Sequence, residues 1–423
     1  ATSVGTYEAL WKPWTANQHL AIVRTHAQEI TRKVTTNSLN FTHDRSHPDR
    51  LRIGYLSNNF YDHPVSHLIQ GLFGCHNRKE FEIFAYSFGD DDHSEYRRRI
   101  AADCDRFRDL QGRTPQEIAQ QIFADRIHIL VDLNGYLNDA RPQILALRPA
   151  PIQVNYLGYT GTMGADFIDY LMGDAIVTPP TEQDAFLEKL VILPHNYLAN
   201  DGYQKIADIP VTRAMYGLPA SGFIFCCFNH NIKIEPTIFE VWMKILAAVP
   251  GSVLWLLNRV KMAEENLWRE AQKRGIDSER LIFAPPLPKA EHLARHRLAD
   301  LFLDTYYYNA HTTGSDALVA GVPILTCPGK TFASRVGASL LTAIGLPELI
   351  VGNFQEYEKL AVELARFPTK VQQLKEKLAA NKLTFPLFDT PRLARNIEQA
   401  YRQMWSIYAS GNSPQQIIIE ESL

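Results

Sequence analysis

Apolar runs of strand length alternate with stretches of helical spacing along most of the chain. In the first half the runs lie at residues 51–57, 81–87, 127–134, 152–158 and 190–193. In the second half they lie at 223–228, 252–257, 281–284, 301–304 and 323–326. Turn-forming residues bound them, as expected of buried strands. Helical spacing fills 114–124, 236–248, 262–274 and 314–320, and a strong helical pattern covers 390–409 with Gly411 placed to stop it. Strands that alternate with helices predict parallel sheets covered on both faces. Such sheets bind ligands beyond the carboxyl ends of their strands.

The alternation occurs twice. It predicts an α/β protein of two Rossmann-like domains facing across a cleft. The expected divisions are a helical segment over 1–48, a first domain over 49–205, a second over 206–388, and a C-terminal helix and tail over 389–423. The polar stretch 200–212, with Gly202 and Pro210, reads as the connection. No complete internal repeat is visible.

Composition narrows the function. A chain of 423 residues, 46% of them hydrophobic, supports two or three domains with real cores. Charged residues make up 21% and the net charge is −3, which argues against bulk attraction to nucleic acid or an anionic membrane surface. The five cysteines Cys75, Cys104, Cys226, Cys227 and Cys327 are odd in number and widely spaced, unlike a disulfide framework. Cys226 and Cys227 sit inside an apolar run and read as small core residues. A reducing, cytoplasmic setting is expected. No apolar stretch reaches the roughly 20 residues of a membrane span, and the first residues lack a signal-peptide pattern.

Candidate chemistry lies at the loops that follow strands. Leu303-Asp304-Thr305 leads through Tyr306, Tyr307, Tyr308, Asn309 and Ala310 to His311-Thr312-Thr313-Gly314, a strand, a loop and a helix start. Exposed N–H groups at a helix start attract phosphate, and two hydroxyls and an imidazole add donors. By local pattern alone, a threonine there caps the helix more often than it binds phosphate. Phe228-Asn229-His230-Asn231-Ile232-Lys233 follows another strand, where a lysine can neutralise a leaving diphosphate. Asp62-His63-Pro64 follows the first strand, and a histidine there suits proton transfer near neutral pH.

Three other segments are weaker. Gly329-Lys330-Thr331 resembles the end of a phosphate-binding loop but has Ile324 where the motif needs glycine. Asp90-Asp91-Asp92-His93 reads as a solvated charge run rather than a metal site. Gly158, Gly161 and Gly164 do not make a dinucleotide fingerprint, although they permit close approach to a ligand.

Taken together these segments resemble one family. Leu51-Arg52-Ile53-Gly54-Tyr55-Leu56-Ser57, His63-Pro64, Asn134-Gly135-Tyr136, Leu147-Arg148-Pro149-Ala150-Pro151-Ile152-Gln153 and Leu157-Gly158-Tyr159 occur in order in the first half. Phe228-Asn229, Leu303-Asp304-Thr305, Asn309-Ala310-His311-Thr312-Thr313 and Ala333-Ser334-Arg335-Val336 follow in the second. They resemble the catalytic region of the protein O-linked N-acetylglucosamine transferases, glycosyltransferase family 41, in its bacterial form. The resemblance covers about residues 50–410.

The resemblance implies a GT-B fold and inverting transfer of GlcNAc from UDP-GlcNAc to serine or threonine hydroxyls of an acceptor protein. It implies no metal and no cofactor. Lys233 would hold the diphosphate, with His311, Thr312 and Thr313 at the helix start. Asp316 would bind ribose, and Lys289, His292 and Arg295 would contact uracil and ribose. His63 would line the reaction centre, with the donor's own phosphate oxygen as the rival base. Residues 1–34 would be helices connecting to a tetratricopeptide array that is truncated or absent here.

This sequence departs from the family pattern at several places. His230 stands at a donor-side position where relatives carry glutamine or asparagine, Ile232 replaces a tyrosine, and Thr160 interrupts a Gly-Tyr-Pro-Gly-Thr segment. Tyr308 falls near the expected N-acetyl pocket. Two other readings compete: a protein O-fucosyltransferase using GDP-fucose, and a transferase-like binding protein without activity.

Overall fold

The computed structural model describes residues 5–35, 39–202, 204–258 and 260–421. The chain divides into two compact units, Ala1–Gly202 with Phe388–Leu423, and Tyr203–Leu387.

The first unit is built on strands β1 (Leu51–Ser57), β2 (Phe81–Ser87), β3 (Arg106–Asp109), β4 (Ile129–Asp132), β5 (Ile152–Asn155), β6 (Tyr170–Asp174) and β7 (Lys189–Leu193). The second contains β8 (Ile224–Cys227), β9 (Val253–Leu257), β10 (Leu281–Ala284), β11 (Leu301–Leu303) and β12 (Ile324–Leu325). The chain then returns to the first unit and adds β13 (Ile417–Ile418). The sheet orders are β13-β7-β6-β5-β4-β1-β2-β3 and β10-β9-β8-β11-β12, with every pairing parallel.

The apolar runs placed ten of these strands and left out three. β3 reads Arg-Phe-Arg-Asp and lies half-exposed at a sheet edge, so burial left no apolar signature there. β6 contains Gly173 and ends on Asp174, which breaks up its apolar run. β13 has only two residues. In the first unit two strands, β4 and β5, stop short of their apolar runs. After β4 the Asp132 carboxylate accepts the Asn134 and Gly135 N–H groups at 3.0 and 2.8 Å, which turns the chain. After β5, Leu157 has φ 70°, outside strand geometry.

The N-terminal segment packs on the first unit. Helix Ala16–Thr35 buries Val23, Ala27 and Ile30. The ring of His19 on this helix meets the Tyr159 hydroxyl at 3.0 Å. This contact accounts for two of the glycines suspected of facing a ligand. A Cβ at Gly164 would lie 2.9 Å from the Arg24 backbone nitrogen, and one at Gly161 would lie 2.9 Å from the His19 ring. At Gly158 a Cβ would strike the Leu133 carbonyl oxygen at 2.0 Å. The approach that these glycines allow is by the protein's own chain.

Residues 389–423, set apart in the sequence as a helix and tail, belong to the first unit. Helix Thr390–Ala409 buries Ile397, Tyr401, Met404 and Trp405. It also closes a buried polar chain. The Tyr55 hydroxyl lies 3.0 Å from that of Tyr401 and 2.8 Å from His76 Nε2. His76 Nδ1 lies 3.2 Å from Glu398, whose carboxylate also accepts the Asn77 N–H at 2.7 Å. Among the described residues no helix is long and apolar enough to cross a membrane.

This buried chain makes the first unit acid-sensitive. Burial lowers the His76 pKa, offset only in part by Glu398. Burial opposes the Glu398 carboxylate too, but its hydrogen bonds from His76 and Asn77 prevail and hold its pKa below the usual range. Both groups bind fewer protons folded than unfolded, so both lose stability as pH falls. Urea midpoints should therefore drop between pH 7 and pH 4.5. Glu398→Gln should lower stability at pH 7 by about 1–3 kcal/mol and remove the part of the loss that falls below about pH 5. An unchanged slope would exclude this carboxylate as a cause.

Candidate functional site

The second unit gathers most of the expected donor residues at the carboxyl ends of β8 and β11. The centre is Asp304, fully buried, immediately after β11. Its carboxylate accepts the N–H groups of Thr305 at 2.8 Å and Ala310 at 2.6 Å, and the Thr326 hydroxyl at 2.8 Å. Residues 305–310 are thereby closed into a loop. Burial raises the Asp304 pKa to about 7 despite these donors and the nearby Lys233 charge.

Three buried side chains brace the loop. Asn229, after β8, donates to the Thr305 hydroxyl at 2.8 Å, and that hydroxyl donates to the Tyr308 carbonyl at 2.7 Å. Asn309 donates to the Thr305 carbonyl at 2.6 Å and accepts the Gly337 N–H at 3.2 Å. A Cβ at Gly337 would come 2.4 Å from the Asp304 carboxylate, so only glycine fits there. Asp304, Asn229, Asn309 and Thr305 were given no role by the sequence. The signal was one acidic residue ending an apolar strand.

Lys233 ends the short turn Asn231–Lys233 and reaches this loop. Its Nζ donates to the Asn309 carbonyl at 2.8 Å and lies 3.9 Å from the centre of the Tyr308 ring. Desolvation lowers its pKa to about 8, with Asp304 and Cys227 opposing. His230 caps the same turn, its Nδ1 accepting the Ile232 N–H at 3.2 Å, and its side chain is exposed.

Helix Thr312–Val319 starts beside the lysine loop. His311 precedes it, buried, with Nε2 3.2 Å from the Ala333 carbonyl. A carbonyl only accepts, so Nε2 carries the ring proton. Burial and then the Lys233 charge push the His311 pKa well down, which keeps the ring neutral. The Thr313 hydroxyl donates to Asn229. Gly314 and Ser315 both give their N–H groups to the His311 carbonyl at 3.0 Å, which leaves the N–H groups of Thr312 and Thr313 and the half-buried Thr312 hydroxyl as donors at this helix start.

A second cluster lies between the helices Lys289–Arg295 and Thr312–Val319. Lys289 and Asp316 form an ion pair, with side chains 10% and 6% exposed. His292 and Arg295 are brought together, but Arg295 has no exposed surface. Its guanidinium donates to the Pro285 carbonyl at 2.5 Å and to His292 Nδ1 at 2.6 Å. It also sits 5.0 Å over the Phe228 ring. Arg295 therefore orients His292 from below and leaves the proton of that ring on Nε2. Desolvation lowers the Arg295 pKa to about 10.

His63 lies in the first unit and caps helix Pro64–Cys75. Its Nδ1 accepts the Val65 N–H at 3.2 Å. Desolvation lowers its pKa to about 4, helped by His67 and opposed by Asp62. The acidic run nearby is engaged within its loop. Asp92 accepts the Asp62 N–H at 2.7 Å, Asp91 pairs with Arg97 at 3.2 Å, and Asp90 accepts from Gln111 at 2.8 Å.

Known proteins resemble this chain in sequence and in fold. The family described as Glycosyl transferase family 41 matches residues 2–210 and 202–397. A protein of Arabidopsis thaliana named probable UDP-N-acetylglucosamine–peptide N-acetylglucosaminyltransferase SEC is 44% identical over 379 residues, 88% of this chain and 39% of that protein. The present chain thus spans about two fifths of that curated relative. A mutant of the Thermobaculum terrenum O-GlcNAc transferase superimposes with a TM-score of 0.86 at 31% identity, covering 96% of this chain and 77% of that one. HepE of Anabaena, solved with UDP and glucose, covers 84% of this chain and 100% of its own at a TM-score of 0.58 and 11% identity, which speaks to fold alone. These neighbours are GT-B proteins, and the two parallel α/β units here have that fold. By profile and by sequence identity, the chain belongs to glycosyltransferase family 41.

Proposed function

We propose that this chain moves GlcNAc from UDP-GlcNAc to serine or threonine hydroxyls of proteins, inverting the anomeric carbon without a metal. The observation that carries this reading is the convergence of Lys233 and the start of helix Thr312–Val319 on the loop pinned by Asp304. Both present fixed positive charge where a diphosphate would leave. Preorganised charge of this kind stabilises a developing anion without solvent rearrangement.

In this reading the acceptor hydroxyl attacks the anomeric carbon as the bond to the diphosphate breaks, and UDP leaves with the electron pair. Lys233, the helix-start N–H groups and Thr312 hold the diphosphate. The Lys289–Asp316 pair takes the ribose, and His292, oriented by Arg295, takes the uracil. The hydroxyl proton goes to a donor phosphate oxygen. His63 orients the acceptor instead of acting as the base, because its Nδ1 lone pair faces Val65 N–H and its low pKa makes it a weak base near pH 7.

Calorimetry should show UDP binding and no GDP binding. Mass spectrometry of lysate proteins should find N-acetylhexosamine on serine or threonine. Binding of GDP alone would favour the fucosyltransferase reading, and donor hydrolysis blank in both wild type and Lys233→Ala would favour an inactive binding protein.

Lys233→Ala should cut turnover by roughly 10²–10³, and near-normal turnover would remove its assigned role. Lys233 must be charged to act, so kcat/KM should fall as pH rises through about 8. His63 is already neutral well below pH 6, so it should add no limb between pH 5 and 7. His63→Ala should impair transfer more than UDP binding. An equal loss of both would place His63 with the nucleotide.

A further inference from the structure

The Lys233 ammonium has three N–H donors. One goes to the Asn309 carbonyl at 2.8 Å, and the adjacent Tyr308 ring stands 3.9 Å away. The ring is nearly fully buried, 6% exposed, and its edge-on contact with His311 at 4.6 Å fixes its plane. Its backbone carbonyl is held by the Thr305 hydroxyl. A ring placed this rigidly against an ammonium acts on charge as well as filling space.

We propose that Tyr308 is a positioning residue for Lys233, its ring face keeping the ammonium charged and directing its remaining donor outward. The inference rests on the reading of Lys233 as the group that stabilises the leaving diphosphate. An aromatic face attracts the ammonium and gives the neutral amine no comparable gain. Asp304 and Cys227 also favour the charge, and the ring adds to them. Asp304 is a buried acid whose carboxylate is already taken by three donors, Cys227 is a buried thiol, and His311 is a neutral ring. Burial works against the charge, and the Tyr308 ring 3.9 Å away adds an aromatic face on the side of the ammonium. This role differs from lining an N-acetyl pocket, since it acts through the lysine and needs the ring rather than the hydroxyl.

The test is the titration of Lys233 in the donor-free full chain, followed by NMR on lysine-labelled protein and assigned with Lys233→Arg. Tyr308→Phe keeps the ring and should leave the Lys233 titration where it is in wild type. Tyr308→Leu should lower it by about one pH unit, and the alkaline limb of kcat/KM should move with it. Should Tyr308→Leu not fold, Tyr308→Met fills the space without an aromatic face. A Lys233 titration that ignores loss of the ring overturns the proposal, as does Tyr308→Phe falling together with Tyr308→Leu. The NMR readout needs no donor. A ring-dependent titration in a protein that neither binds UDP nor transfers sugar would sink the donor reading and leave the positioning role standing. UDP binding and transfer with a ring-independent titration would do the reverse.

Discussion

The carboxylate of Asp304 holds the second unit's loop together. A charge buried this deeply persists only when its lone pairs are filled and its surroundings are fixed. Thr305, Ala310 and Thr326 fill them, and the Tyr357 hydroxyl donates to the Asp304 carbonyl at 3.0 Å. The bond to Ala310 spans six residues and draws the chain back toward β11. As a result, the Asn309 carbonyl meets Lys233 and His311 enters the helix at a fixed angle. The segment Ala333-Ser334-Arg335-Val336, which looked like a bare family marker, supplies the carbonyl that takes both the Asn309 N–H and the His311 ring proton.

Much of this was legible in the sequence, for a physical reason. Buried strands leave long apolar runs, so β1 and β2, buried but for Arg52 and Glu82, match their runs end to end, as does the apolar edge strand β10. Helices Pro236–Ala248 and Thr390–Ala409 were equally plain, since proline near the start and an apolar stripe mark them. The strands that escaped were those where burial leaves little trace, an exposed edge strand, one ending in glycine and aspartate, and a two-residue pairing.

The site was legible by position more than by role. His311, Thr312, Thr313 and Lys233 could be placed after strands, yet nothing local shows that Thr313 spends its hydroxyl on Asn229. Nor does the spacing of Lys289, His292 and Arg295 reveal that the arginine turns inward over the Phe228 ring and bonds His292, while Lys289 pairs with Asp316 of the neighbouring helix. Those outcomes depend on which side chains meet across the sheet, and a single sequence does not encode them locally. The glycines at 158, 161 and 164 show the same limit. A missing Cβ signals close approach, and only the fold says that the Ala16–Thr35 helix and the Leu133 backbone are what approach.

Burial affects Asp304 and Lys233 in opposite senses, raising the acid to about 7 and lowering the amine to about 8. Their charged and neutral forms therefore lie close in energy near neutral pH. In the proposed reading, a diphosphate beside Lys233 would add negative charge, which favours the ammonium and disfavours the Asp304 carboxylate. The loop hydrogen bonds favour the carboxylate, so the acid resists that change. In that reading, an ammonium already held by the Asn309 carbonyl and the Tyr308 ring is the preorganised charge that a leaving diphosphate requires.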